Sequence, residues 1–130
     1  MLVLELKTPK AKLSSSKIYR GAEEHGSDVY APHEDLSGAV AQLLSQLASS
    51  REDFRLILQR TRAAEMIEPS TVIGALIIGT LTELSAEQKV SFELYRQSLH
   101  GFQILTYDEL LERLKMLVVM LRADEGERDS

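Results

Sequence analysis

The sequence predicts an α/β sandwich built on parallel strands, and three observations point to it. Short apolar runs alternate with segments of helical hydrophobic period, the order that builds parallel strand pairs joined by right-handed crossovers. The run Thr71-Val72-Ile73-Gly74-Ala75-Leu76-Ile77-Ile78-Gly79 is almost continuously apolar and rich in β-branched residues, as in a strand covered on both faces. Two capping boxes, Ser85-Ala86-Glu87-Gln88 and Thr106-Tyr107-Asp108-Glu109, mark helix starts.

Taken in order, residues 1–7 read as a short buried strand. Residues 8–34 hold Pro9, Pro32, the run Ser14-Ser15-Ser16, Gly21 and Gly26, and read as a long polar loop, a kind that is usually functional or mobile. From Asp35 to Met66 the pattern is helical. Leu36, Val40, Leu43, Leu44 and Leu47 recur at spacings of three and four, Phe54, Ile57 and Leu58 continue them, and Ser49-Ser50 is a candidate break. Glu68-Pro69-Ser70 ends the segment before the apolar strand. The helix opened by Ser85 carries Phe92, Tyr95 and Leu99 inward and stops at Gly101. A strand over Phe102–Leu105 follows, then a last helix that is expected to bury Leu110, Leu111, Leu114, Leu117, Val118 and Leu121. Residues 1–122 are thus expected to form one domain. The charged stretch 123–130 lacks apolar anchors and reads as a disordered tail.

Composition narrows the chemistry. With 130 residues, 44% hydrophobic, the chain is long enough for one domain with a real core. The absence of cysteine excludes disulfides, thiolate metal sites and thiol nucleophiles, and suits a reducing cytoplasm. No stretch reaches the length of a membrane span, and no basic region followed by an apolar one opens the chain, so no membrane association is expected. The net charge of −5 is unevenly spread. Lys7, Lys10, Lys12, Lys17 and Arg20 against Glu5 give residues 1–20 a charge of +4, leaving −9 on the rest of the chain. A basic stretch beside an acidic body guides anions to one place; the plainer reading is a lysine-rich surface loop.

Within the first strand, alternation sends Glu5 and Lys7 to one face. A carboxylate holds a hard divalent cation, and an ammonium two residues on positions a phosphate or an attacking water. Other candidates have simpler explanations. His33, Glu34 and Asp35 sit where a helix begins and read as capping groups; His100 beside Gly101 suits a helix C-terminus, and His25 stands in the polar loop. Ser14, Ser15 and Ser16 have no nucleophile elbow around them. Gly74 and Gly79 lack dinucleotide-fold spacing and read as close-packing positions. Gln42 and Gln46 lie one turn apart on a helix face, and Tyr19 and Tyr30 serve either base stacking or anchoring of the loop.

The pieces Leu4-Glu5-Leu6-Lys7-Thr8-Pro9, Leu36-Ser37-Gly38-Ala39-Val40-Ala41-Gln42, Val72-Ile73-Gly74 and Gly101-Phe102-Gln103-Ile104-Leu105-Thr106-Tyr107-Asp108-Glu109-Leu110-Leu111 occur in an order and spacing that resembles the PD-(D/E)XK nuclease superfamily. Within it, the chain is most similar to the C-terminal nuclease domain of Shedu-type bacterial anti-phage proteins. The resemblance spans nearly all of residues 2–118. It implies a restriction-endonuclease-like α/β/α sandwich with a mixed sheet, and Mg²⁺-dependent (or Mn²⁺-dependent) hydrolysis of DNA phosphodiesters. Glu5 and the Leu6 carbonyl would bind the metal, Lys7 would act as the catalytic cation, and Gln42 would support the site. Lys10, Lys12 and Lys17 would steer DNA phosphates.

One departure stands out. The superfamily takes a further metal-binding aspartate from a preceding strand, whereas here only Met1, Leu2 and Val3 precede the motif, so the first strand of the core is expected to be missing. A fragment, a natural truncation, or an acid recruited from Asp28, Glu34 or Asp35 would each account for this. The alternative function is a catalytically inactive or incomplete nuclease-like module for DNA docking or assembly. An unpaired sheet edge and an apolar last helix lead us to expect a homo-oligomer.

Overall fold

The computed structural model describes residues 1–21, 23, 26–61 and 72–128. His25, Met66, Glu68-Pro69-Ser70 and Thr71 lie outside the described residues. The α/β sandwich is present. A three-stranded parallel sheet has the order β1 (Leu2–Leu6), β4 (Ile73–Ile77), β5 (Phe102–Leu105). A separate antiparallel pair joins β2 (Ser14–Arg20) to β3 (Val29–Pro32). Three α-helices complete the described fold: α1 (Glu34–Thr61), α2 (Ala86–Gln97) and α3 (Tyr107–Arg128).

Helix α1 lies on one face of the sheet through most of the predicted stripe, although Leu44 and Ile57, expected to belong to it, face away and are 46% and 55% exposed. Leu36, Ala39, Val40, Leu43 and Leu47 are all buried, against Leu76, Ile78 and Ile104 of the sheet side. Each such leucine contributes roughly 1.5–3 kcal/mol on burial. The helix runs unbroken through Ser49-Ser50, because serine is only mildly unfavourable inside a helix. Gly74 is where the sheet admits the helix: a Cβ there would meet Leu47 Cδ1 at 2.8 Å and Phe102 Cβ at 2.9 Å. Gly79 is equally committed, with φ of 63° and the Ala11 carbonyl oxygen 2.8 Å from an added Cβ.

Three expectations are corrected. The polar segment 8–34 is not a plain loop, since Ile18 pairs with Tyr30 and Ser14 with Pro32 across the β2–β3 hairpin. Its serine- and lysine-rich first strand hid the alternation, and its long connection lacks a tight-turn signal. Nor is β1 a buried strand. Leu2, Leu4 and Leu6 are 64%, 49% and 59% exposed, and Ile73 beside them is 58% exposed, so the outer sheet face is open. Helix α3 has no buried residue at all. Its apolar side chains run consecutively from Met116 to Leu121 and so point in every direction around the axis, which no single neighbour can cover. Only its first turn is docked, and the helix extends to Arg128, where Asp124 pairs with the last arginine.

Both predicted capping boxes form. Ser85 Oγ accepts from the Gln88 amide while Gln88 Oε1 accepts from the Ser85 amide. Glu109 Oε1 accepts from both the amide and the hydroxyl of Thr106, and Thr106 Oγ1 accepts from the Glu109 amide. Arg96 of α2 joins this second box. Its guanidinium donates to Glu109 Oε1 at 2.6 Å and to the Ile104 carbonyl at 3.2 Å, pairs with Glu93, and lies over the Phe92 ring. Burial pushes the Glu109 carboxyl up, but the bonds from Arg96 and Thr106 outweigh it and hold the group below its usual range. A carboxylate lowered in the folded state contributes stability above its unfolded value, lost as pH falls through the folded value. Glu109→Gln is therefore expected to lower unfolding free energy by about 1–3 kcal/mol near neutrality. In thermal melts the gap from the parent should narrow as pH falls below the ordinary glutamate range.

Candidate functional site

Strand alternation turns Val3, Glu5 and Lys7 toward α1, on the face where Glu5 pairs in register with the buried Leu76. Helix α1 meets them with two glutamines one turn apart. Lys7 Nζ donates to Gln42 Oε1 at 2.8 Å, and Gln46 Nε2 donates to Glu5 Oε2 at 3.2 Å. The Lys7 ammonium also lies 3.2 Å from Glu5 Oε1. The carboxylate is 16% exposed and the ammonium 34%, so the pair sits half-sheltered. Gln42 orients the cation while Gln46 holds the anion. The structure thus brings Glu5, Lys7 and Gln42 together and adds Gln46, whose spacing from Gln42 was the available signal.

The backbone under Lys7 is held on both sides. Its amide donates to the Ile77 carbonyl at 2.9 Å, and its carbonyl accepts from the Tyr107 hydroxyl, one hundred residues along the chain. Nothing in the local sequence announces that Tyr107 contact. Because Ile73 donates to Met1 and Lys7 to Ile77, the odd-numbered backbone groups of β1 face β4. The Leu6 carbonyl therefore faces the open edge of the sheet. Glu5 and Leu6 offer only oxygen donors, the chemistry Mg²⁺ and Mn²⁺ take, and would leave most of an octahedral shell to water and substrate.

Lys7 of this pair lines a cleft of about 460 Å³ together with Thr8, Lys10, Asp35, Gly38 and Gln42. At Gly38 an added Cβ would meet nothing within 4 Å, so α1 presents bare backbone to this space. Asp35 lines the cleft, but its Oδ2 accepts from the Lys12 amide at 3.0 Å. The Asp35 amide donates to His33 Nδ1 at 3.0 Å, and the same nitrogen lies 3.4 Å from Asp35 Oδ2. His33 thus caps α1. Asp28 lies against Glu87, whose carboxyl it raises by sharing a hydrogen bond, and Glu34 is exposed at the start of α1. Among the described residues, no cluster of three or more His, Asp or Glu side chains is placed to hold a metal.

Lys10 reaches this cleft, whereas Lys12 and Lys17 line an adjoining cavity. Tyr30 anchors the hairpin, its amide donating to Ser91 Oγ at 3.1 Å, and Tyr19 is exposed.

Comparison with known proteins bears on all of this. The family model described as "Shedu protein SduA, C-terminal" matches residues 1–111. The Shedu protein SduA of Bacillus cereus (strain B4264) is 32% identical over 126 residues, covering 92% of this chain and 31% of that protein. The chain therefore spans about 31% of the length of the curated relative it matches.

The Tyr107 contact yields a direct expectation. Tyr107→Phe leaves the Lys7 carbonyl without its donor and should destabilise the fold by about 1 kcal/mol. Amide hydrogen exchange at Lys7 should accelerate; unchanged protection there would remove Tyr107 from the support of the site.

Proposed function

The chain belongs to the family of Shedu SduA C-terminal domains, and on that premise we propose that it is a metal-dependent DNA nuclease domain of a cytoplasmic anti-phage defence protein. The observation that carries this reading is the Glu5–Lys7 pair, held at 3.2 Å and steadied by Gln42 and Gln46, with Lys7 and Gln42 lining a cleft. In the proposed reaction Lys7 directs its ammonium at the scissile phosphate, orients the attacking water and offsets charge on the phosphorane. Gln42 keeps that ammonium aimed. Glu5 and the Leu6 carbonyl would hold Mg²⁺ or Mn²⁺, which supplies Lewis-acid stabilisation of the phosphate oxygens. Lys10, Lys12 and Lys17 draw the DNA backbone in, against an otherwise acidic chain.

A second reading is an inactive docking or assembly module. What favours it is the single carboxylate at the site, with no further acid clustered beside it among the described residues. Glu5→Ala and Lys7→Ala should each reduce Mg²⁺-dependent DNA cleavage by at least about 100-fold. Cleavage at the parent rate in either variant would sink the nuclease assignment. Absence of Mg²⁺ or Mn²⁺ binding in calorimetry, together with absence of cleavage, would leave the docking module standing.

Self-association belongs to the same proposal. The exposed apolar side chains of α3 and the open face of β1 and β4 are the kind of surface that a stable interface, at ~800 Å² per partner, buries. Both surfaces are uncharged over Met116–Leu121 and over Leu2, Leu4, Leu6 and Ile73, and a second copy of this chain supplies both at once. Light scattering should therefore report an oligomer, and Leu117→Lys with Met120→Lys should reduce it toward the monomer. A monomeric parent at high concentration would refute this part.

A further inference from the structure

A cavity of about 730 Å³ adjoins the cleft lined by Lys7 and Gln42 and shares Lys10 and Ala11 with it. The volume falls inside the ~300–1,000 Å³ of small-molecule sites. Lys10, Lys12 and Lys17 all line it, with the hydroxyl residues Ser14, Ser15 and Ser16 between them. None of the ion pairs among the described residues involves any of these three ammoniums. The lining holds one carboxylate, Glu83, and His33, whose Nδ1 accepts from the Asp35 amide. Three unpaired cations around one hollow repel one another until an anion enters. Pro9, Leu13 and Leu84 give the same hollow an apolar side.

We propose that this cavity binds one nucleotide unit, its phosphate on the three ammoniums and serine hydroxyls, its sugar and base against the apolar side. Phosphate alone needs no apolar wall, and an apolar ligand needs no array of bare lysines. The combination fits a nucleoside phosphate. The inference deepens the reading of the chain as a DNA-processing domain, since a strand seated here would run past Lys10 to the reacting phosphodiester. The same chemistry is offered by a free nucleotide, and the test separates the two sources.

Binding of inorganic phosphate, dAMP and a single-stranded DNA hexamer would be measured by calorimetry on the parent chain, on Lys89→Gln, and on Lys12→Gln with Lys17→Gln. The expected result is that the double lysine variant loses at least tenfold in affinity for the hexamer, while Lys89→Gln, an exposed lysine of α2 outside both cavities, binds it as the parent does. The slope of log affinity against log salt should fall by about 0.7 for each lysine removed. Binding of dAMP with the same lysine dependence, without hexamer binding, assigns the cavity to a free nucleotide. If neither ligand binds, if only inorganic phosphate binds, or if the lysine variant binds both as the parent does, the proposal is overturned. Cleavage that needs Glu5 but not these lysines would sink the cavity and keep the nuclease. Lysine-dependent binding without any cleavage would do the reverse. Circular dichroism of the lysine variant, whose side chains are not part of the core, checks that its fold is intact.

Discussion

The distance between α1 and the parallel sheet is the constraint on which the site depends. Gly74 has no side chain, so the Leu47 methyl groups come within 2.8 and 3.1 Å of the place a Cβ would occupy. That approach brings the preceding turn of α1 close enough for Gln46 to reach Glu5 and for Gln42 to reach Lys7. A larger residue at 74 would lift the helix, and hydrogen bonds weaken steeply beyond their ordinary lengths. Packing of apolar residues thus sets the geometry of four polar ones.

The second organising fact is asymmetry. The inner sheet face is dry, with Leu76 and Ile78 fully buried, while the outer face exposes the alternate residues of β1. In a parallel sheet both faces are normally covered, because crossover helices lie on both. Here α1 covers one face, α2 packs on the hairpin, and α3 leaves the sheet after one turn. Two unsatisfied apolar surfaces in one chain are a driving force for association, since water is released when they meet.

Electrostatics follows the same economy of position. The lysines of residues 10–17 are carried by the turn after β1 and by the hairpin, so Lys10, Lys12 and Lys17 share one cavity, and Lys10 also lines the cleft with Lys7. The Thr8 carbonyl holds this turn by accepting from Ala11 and Gly79, and Tyr107 ties its start to α3. The elements farthest apart in sequence therefore converge on the few residues that carry the chemistry.

Alternation and period sufficed to read the α/β alternation, the stripe of α1, the two capping boxes and the shared outlook of Glu5 and Lys7, because each depends on residues within a turn or a strand of one another. The hairpin was hidden by polar strands whose pairing is non-local. The Gln46 partnership, the Tyr107 contact with Lys7 and the exposure of α3 were decided by the tertiary structure alone. Which surfaces meet depends on how closely whole elements pack, and hydrophobicity by itself names no partner: the leucines of α1 and those of α3 look alike in sequence, yet only the first have a sheet against them.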